Sequence, residues 1–329
     1  MNVRQGTPIA AAICCVAALV QPAAGTAADA AADYPRKPIR IIVPSAPSSG
    51  PDIVSRLLGG MLSEAWRQQV VADPRPGAAG NIATEIASNA MPDGYTLLMA
   101  SSQQISGPLF FGKLPYDLIR DFLPICLIAS TPYVLSVHPS VAAASTAELI
   151  ALAKARPGTL HYGSSGMGGA PHLAAEMLKT MTNIDLVHVP YKSVVYALID
   201  VIGGQIQLAF SVMPAALPMI KQGKLRALGV TSLKRTTLAP DLETIAEIVP
   251  GYEIIGWYGL VAPAGTPQAI IAKLNGETRK ALQSGEMRQR LQAMGAEPIG
   301  TTPPEFKAFM SAQKERIAKI IQTAGLRSP

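Results

Sequence analysis

Short aliphatic runs alternate with segments of helical periodicity along most of this chain, and this alternation constrains the fold more than any other feature. In the first unit, the strand-like run 39–44 leads through a Ser/Pro loop into a segment where Ile53, Leu57 and Met61 repeat at helical spacing. Strands and helices that alternate in this way form βαβ connections and a parallel sheet. The sequence therefore predicts an α/β protein whose mainly parallel sheets are flanked by helices.

The same pattern predicts the order of the elements. Further strands are expected at 69–72, 95–100, 123–130, 133–138, 160–162, 185–189, 207–211, 226–231 and 257–262. Helices are expected from Pro51 onward, at 82–89, 145–156, 171–181, 197–203 and 214–222, and over most of the C-terminal region apart from a loop near 298–304. Ser145, with Glu148 three residues later, forms a capping pair at one helix start. Two Ser/Gly loops occupy equivalent positions in two of these units, which indicates two lobes.

The first thirty residues have the composition of a secretory signal peptide. Arg4 supplies a short basic region, the run 9–20 is apolar, and Ala28-Asp29-Ala30 forms a small-residue cleavage site, although another cut between 24 and 32 fits as well. A membrane anchor is the alternative reading, but an anchor requires about 20 apolar residues. No later stretch is apolar over that length. We therefore expect residues 1–30 to be removed on export and the mature protein to be soluble in the periplasm.

Charge and cysteine content narrow the kinds of partner. The formal net charge is +6, but Lys and Arg are scattered and form no basic run. A nucleic-acid partner is therefore not expected, whereas a mild positive field favours encounter with anionic solutes. Cys14 and Cys15 lie within the predicted signal peptide, so only Cys126 remains in the mature chain. A single cysteine excludes an intrachain disulfide and a thiolate metal site, and its aliphatic neighbours indicate a buried strand residue.

Two loops are the candidate ligand-binding segments. Residues 45–50 and 163–170 are rich in Ser and Gly, and each follows a predicted strand and precedes a helix N-terminus. Ligands of open parallel sheets sit beyond the carboxyl ends of strands, and N–H groups at a helix N-terminus favour an anion. Glycine lets the backbone approach a ligand, and serine adds a hydroxyl. Such loops also occur simply as turns, but two of them in equivalent units favour a shared cleft that binds a carboxylate.

Enzyme motifs are incomplete in this chain. Gly163-Ser164-Ser165-Gly166-Met167 departs from G-x-S-x-G at its fifth residue, and no Walker loop is present. A Ser165–His172 nucleophile and base pair is the remaining enzymatic reading, but His172 is better explained as a helix N-terminal residue that faces the loop. The other histidines, His138, His161 and His188, lie singly near strands without metal-ligand spacing, so each is expected to be structural. We expect no enzyme activity, no cofactor and no metal.

Segments spread over residues 34–325 resemble one family in their order and spacing. They are YPRKPIRIIVP, RPGAAGNIA, PDGYTLLMAS, LPYDLIRDFLPICLIA, AELIALAKARPGTLHYGSSGMGG, HVPYKSVVYALIDVIGGQIQLAF, IKQGKLRALGVTS and WYGLVAPAGTP. The chain thus resembles the solute-binding receptors of tripartite tricarboxylate transporters, the Bug or TctC-like family. The resemblance implies a two-lobed, type II-like periplasmic binding protein fold with the ligand cleft between the lobes. Lobe 1 is expected to comprise 34–136 and 250–329, and lobe 2 to comprise 137–249.

The resemblance also implies the partners and the position of the ligand. The partners would be a small carboxylate and two integral membrane subunits of a transporter, and we expect the receptor itself to be a monomer. The loop after the first strand of each lobe would hold the carboxylate. The candidate ligand-binding residues are Ser45, Ala46, Pro47, Ser48, Ser49 and Asp52 in the first loop, Gly163, Ser164, Ser165, Gly166, Met167 and Gly168 in the second, and His172, Tyr191 and Ser211.

Departures from the family pattern bear on the ligand. The first loop of the family usually reads APGGGTD, whereas here it is Ala46-Pro47-Ser48-Ser49-Gly50-Pro51-Asp52. Pro51 removes an N–H and a hydroxyl, which Ser48 and Ser49 would replace. Ser211 stands where the family often has an Asp suited to an ammonium group, so we expect an organic or aromatic acid rather than aspartate or glutamate. A ligand-presenting sensor, a Ser-based hydrolase and a receptor that has lost its ligand contacts remain the alternatives.

Overall fold

A computed structural model of the chain describes residues 33–111, 114–191 and 193–323, together with Met1 and Gly325. The predicted signal peptide, residues 1–30, lies outside the described residues apart from Met1. Over the rest of the chain, strands and helices alternate as the sequence predicts, and most boundaries differ from the predicted ones by a few residues.

The strands of the described chain form one mixed sheet. They are β1 (Ile39–Val43), β2 (Val70–Pro74), β3 (Thr96–Ser101), β4 (Phe122–Val137), β5 (His161–Ser164), β6 (Val187–Pro190), β7 (Leu208–Val212), β8 (Arg226–Val230), β9 (Ile255–Pro263) and β10 (Glu297–Pro298). Their order is β2-β1-β3-β9-β4-β7-β5-β6, and β8 and β10 pair with β4 outside this path.

The helices lie between these strands and at the C-terminal end. They are α1 (Gly50–Trp66), α2 (Asn81–Ser88), α3 (Ser102–Phe111), α4 (Thr146–Ala155), α5 (Ala170–Thr182), α6 (Val194–Ile202), α7 (Met213–Lys221), α8 (Ile245–Ile248), α9 (Gln268–Leu282), α10 (Gly285–Ala293) and α11 (Pro303–Thr323). Helix α4 begins at the predicted cap, because Ser145 Oγ accepts the Glu148 N–H at 3.2 Å. Helix α3 has no counterpart in the sequence prediction, since Gly107 and Pro108 interrupt its helical pattern.

The central strand β4 corrects the prediction of two separate strands at 123–130 and 133–138. It is continuous from Phe122 to Val137, and only its pairing partner changes. Residues up to Pro132 pair with β9, and residues from Tyr133 onward pair with β7 and β8. Proline cannot donate to a ladder, and Pro132 lies where the pairing with β9 ends. The proline therefore marks a change of partner rather than the end of a strand.

Strand directions explain how the two candidate loops are placed. Strands β1, β2 and β3 are parallel, as are β5, β6 and β7, whereas β9, β4, β7 and β8 pair antiparallel in the centre. The expected parallel sheets are thus two triplets joined by an antiparallel centre. Because β1 runs with β4 and β5 runs against it, their carboxyl ends point from opposite sides toward the middle of β4. The loops 45–50 and 163–168 continue from these two ends.

The C-terminal helix α11 ties the two parallel triplets together. It packs on β4, on α3, which follows β3, and on α5, which follows β5, so that it contacts an element adjoining each triplet. Phe306 of α11 is fully buried and meets Trp257 edge to face, with ring centroids 5.7 Å apart. Burying one such side chain contributes roughly 1.5–3 kcal/mol. Gly259 permits this packing, because a Cβ there would lie 2.7 Å from Phe306 Cε1.

Candidate ligand-binding site

The first loop is held in shape by its own polar groups. Asp52, in the first turn of α1, accepts the Ser48 N–H at 2.9 Å and the Arg56 Nε–H at 2.9 Å through Oδ2. Burial favours the protonated acid, but the bonds from Arg56 and Ser48 outweigh it and hold the pKa of Asp52 below its usual range. Ser48 has a φ of 64°, a left-handed conformation that the Asp52 bond stabilises. Asp52 is 2% exposed, so the side chain of this predicted ligand residue is buried against the backbone of the loop.

The remaining residues of the first loop are more accessible. Ala46, Pro47 and Ser48 are exposed, and Ser45 and Ser49 are half-buried with their hydroxyl oxygens 2.6 Å apart. Helix α1 follows directly, with a proline in its first turn as the sequence predicts. The paired hydroxyls of Ser45 and Ser49 therefore stand beside the positive end of a helix dipole, which suits an anion.

Two tyrosines that the sequence did not mark lie at Gly50 of the first loop and at Gly256 of β9. A Cβ at Gly50 would lie 3.0 Å from Tyr258 Cζ and closer still to its hydroxyl, and a Cβ at Gly256 would lie 2.8 Å from Tyr133 Oη. Burial raises the pKa of both phenols, so both remain protonated donors at neutral pH. The sequence around each tyrosine predicts only a strand. No neighbouring residue indicates that β9 brings Tyr258 to Gly50, so the sequence could not mark it.

The second loop is built around a buried serine. Ser164 Oγ accepts the Gly166 N–H at 3.1 Å and lies 2.7 Å from His188 Nε2. Gly166 and Gly168 have φ values of 102° and 77°, which glycine adopts without strain. The hydroxyl of Ser164 therefore shapes the loop from behind, whereas Ser165 and Met167 are exposed on its outer side.

The last three candidate residues differ in their surroundings. The Gly168 N–H donates to His172 Nδ1 at 3.4 Å, so His172 faces the loop as the sequence predicts. Tyr191 backs the loop, since its N–H donates to the Ser164 carbonyl at 3.0 Å and its hydroxyl donates to Asp200 at 2.7 Å. Ser211 lies opposite Val134 in the β7–β4 ladder and is fully buried. Its hydroxyl has no hydrogen-bond partner among the residues that the structure describes.

Other chemistry is sparse around these loops. Cys126 is buried in β4 as expected, and burial raises the pKa of its thiol to about 12. In the described ranges, no three His, Cys, Asp or Glu side chains are grouped so that they could hold a metal ion. None of the helices described is both long and apolar enough to cross a bilayer.

A cavity of about 630 Å³ lies between α5 and α11, away from the two loops. It is lined by Met177, Met181 and Ile320 among others, and no residue of either loop lines it.

This arrangement defines a class: α/β binding proteins in which two parallel βα units face each other across a shared central strand. The chain belongs to the tripartite tricarboxylate transporter receptor family, whose family model matches residues 54–326. The family resemblance noted in the sequence and the two-lobed fold that it implied are therefore confirmed. Because this family and its solved members are binding receptors, the chain is a receptor rather than an enzyme.

Individual relatives agree over nearly the whole chain. Protein BugT of Bordetella pertussis is 35% identical over 311 residues, which cover 92% of this chain and 94% of the relative. The solved structure of R. palustris Rpa4515 with adipate is 36% identical, has a TM-score of 0.78, and covers 89% of this chain and 99% of its own. MatC from Rhodopseudomonas palustris with bound malate is 26% identical with a TM-score of 0.74, covering 88% and 100%.

Proposed function

We propose that this chain is a periplasmic receptor that captures a small carboxylate between its two lobes and delivers it to a tripartite transporter in the membrane. The observation that carries the proposal is the convergence of the loops 45–50 and 163–168 on the middle of β4. Each loop leads into a helix N-terminus, where N–H groups and the helix dipole favour an anion. The related structures with adipate and malate support a dicarboxylate as the ligand.

The lobes are proposed to divide as the sequence predicts, into 34–136 with 250–329 and 137–249. The partner change in β4 between Pro132 and Tyr133 supports a first boundary close to that point. Strand β9 begins at Ile255, close to the second proposed boundary, where the chain returns to lobe 1. A hinge at this level would let the lobes close on a ligand, and binding would favour the closed form by its extra contacts there.

The ligand is proposed to be an organic or aromatic acid without an amino group. An ammonium group needs an acidic partner, and Ser211 offers only a buried hydroxyl where relatives often have an Asp. The hydroxyls of Ser45 and Ser49, together with the phenol of Tyr258 beside Gly50, can donate to carboxylate oxygens. These groups supplement the predicted backbone donors of the two loops.

A thermal-shift screen of the purified mature protein tests ligand capture. The panel is adipate, malate, an aromatic acid, aspartate and glutamate. A specific ligand at 100 times its Kd stabilises the fold by about 2.7 kcal/mol, so an organic acid should raise Tm by several degrees. Calorimetry on the best ligand then gives the Kd. Tight binding of aspartate or glutamate with none of the organic acids would overturn the ligand class, and no response to any carboxylate would overturn capture itself.

Export and delivery are tested in cells. We expect the mature chain in the periplasmic fraction, starting between residues 24 and 32 by N-terminal sequencing, and a monomer by light scattering. Deleting the gene should reduce uptake of the radiolabelled ligand. Normal uptake in the deletion strain would favour a sensing role instead.

A further inference from the structure

Two histidines that are distant in sequence meet directly behind the second loop. His172, in the first turn of α5, and His188, in β6, have ring centroids 4.5 Å apart. Each also contacts the loop, through Gly168 N–H to His172 Nδ1 at 3.4 Å and through His188 Nε2 to Ser164 Oγ at 2.7 Å. His172 is 2% exposed and Ser164 is fully buried, so both contacts are made away from bulk water.

The contact between His188 and Ser164 tolerates either direction of donation. A serine hydroxyl has one proton and two lone pairs. While it accepts the Gly166 N–H, Ser164 Oγ can donate to His188 Nε2 or accept from it. In the second case its own proton is directed to the Gly166 carbonyl, 3.2 Å away. A proton on His188 Nε2 therefore reverses this bond without breaking it.

The contact between His172 and Gly168 has only one possible direction. The Gly168 backbone can only donate, so His172 Nδ1 must be without a proton. A proton at Nδ1 would set two N–H groups against each other and remove the restraint on Gly168. Since Gly168 has a φ of 77° and no side chain to hold it, that restraint contributes to the loop's shape.

The charged groups around the pair decide its protonation. Tyr162 of β5 stacks on His188 with centroids 4.8 Å apart and donates to Glu176 of α5 at 2.6 Å. Lys179 of α5 lies 2.9 Å from the same Glu176 oxygen. Burial lowers the pKa of both imidazoles, and Lys179 lowers both further, whereas Glu176 raises them only in part. The neighbouring His188 also lowers the pKa of His172, which falls to about 4. Both rings are therefore neutral at neutral pH, and the Gly168 contact requires this of His172.

We propose that His172 and His188 are positioning residues for the second ligand-binding loop: as neutral rings they hold Gly166 and Gly168 in the conformation that receives the carboxylate, and a proton on His172 releases Gly168. The inference rests on the proposed function, because it takes this loop as part of the ligand site. Both histidines act through the loop, His188 by way of Ser164 and His172 by way of Gly168.

A ligand-free experiment tests the restraint itself. The protein is labelled with ¹⁵N-glycine, and the Gly166 and Gly168 amide resonances are followed from pH 7.5 to about pH 3, which lies below the expected midpoint. In the wild type, the Gly168 resonance should shift with a midpoint near the pKa of His172, about 4. In His172→Asn, whose Oδ1 can accept the same N–H without titrating, that shift should be absent. A Gly168 resonance that is insensitive to pH in the wild type, or that titrates equally in the variant, would overturn the proposal.

Binding of adipate and malate at pH 7.5, measured by calorimetry, tests the consequence for the site. His172→Ala should weaken binding by about tenfold or more, since it removes a buried acceptor, whereas His172→Asn should stay within about twofold. His188→Gln should likewise retain binding and His188→Ala lose it, and His138→Asn, at the exposed Ser140 contact, is the matched control. Equal losses in the Ala and Asn variants would reduce His172 to a packing role. If the wild type binds neither acid, the ligand class of the proposed function fails, while the ligand-free titration still decides the positioning role.

Discussion

The contact between Gly50 and Tyr258 offers the sharpest test of how the first loop is built. In Gly50→Ala, the new Cβ would lie 3.0 Å from Tyr258 Cζ and closer than that to the hydroxyl oxygen. Non-bonded carbon atoms are optimally about 3.5–4.0 Å apart, so the ring or the loop would have to move by about 0.5 Å or more. Overpacking of this kind costs about 1–3 kcal/mol.

The assay is urea unfolding of four variants, with the free energy of unfolding compared at constant slope. Gly50→Ala should lose about 1–3 kcal/mol, and Gly50→Ala combined with Tyr258→Phe should recover about half or more, because the clashing oxygen is gone. Tyr258→Phe alone should change stability by less than about 0.5 kcal/mol, since it removes only the hydroxyl and leaves the ring in place.

The matched control is Gly60→Ala in the same helix. A Cβ at Gly60 meets no atom within 4 Å, and the residue is exposed, so this variant should be more stable by up to about 1 kcal/mol. If Gly50→Ala is as stable as the wild type, or if Tyr258→Phe does not relieve it, the packing of the first loop against β9 is not as the structure has it.

Three further predictions concern single side chains. Asp52→Asn should lower stability at pH 7 by about 1–2 kcal/mol, because the Arg56 and Ser48 bonds lose their charged acceptor. Since the pKa of Asp52 is depressed in the folded state, this contribution is present above the ordinary carboxyl pKa and is lost as pH falls through the folded value. Urea unfolding of variant and wild type should therefore differ less at pH 3 than at pH 7, and an equal difference would contradict the prediction. His172 stays neutral in the folded state down to a pKa of about 4 instead of 6.5, so the unfolded chain binds the extra proton between these values and stability should fall by about 3 kcal/mol as pH drops through this window. His172→Asn should flatten that slope in pH-dependent unfolding, and an unchanged slope would assign the titration to other groups. Cys126, with its thiol pKa raised to about 12, should resist a maleimide at pH 8 in the native protein and react fully in denaturant, as peptide mass mapping would show; labelling of the native thiol would contradict its burial.

Local patterns were sufficient for much of this protein. The alternation of strand and helix, the proline in the first turn of α1 and the Ser145–Glu148 cap depend on residues within a few positions of one another, and each is present in the structure. The two Ser/Gly loops could be placed after strands for the same reason. Their occurrence in equivalent units predicted two lobes before any contact between distant residues was known.

Long-range pairing decided the rest. Nothing near Pro132 shows that β4 continues and exchanges β9 for β7, because the exchange depends on strands that are more than fifty residues away in sequence. His188 appeared in the sequence as a solitary strand residue, and only the β5–β6 register brings it to Ser164 and His172. Tyr258 reaches Gly50 because β9 returns between β3 and β4.

The sequence by itself thus determined the α/β class and the two loops that are candidates for the ligand, since periodicity, caps and turn residues act over short distances. The family followed from the resemblance of segments spread along the chain. The tertiary structure alone decided that both loops point at the middle of one strand, and which side chains support them from behind. Those features depend on strand order and direction, which are set by the burial of the whole sheet and not by any one segment of it.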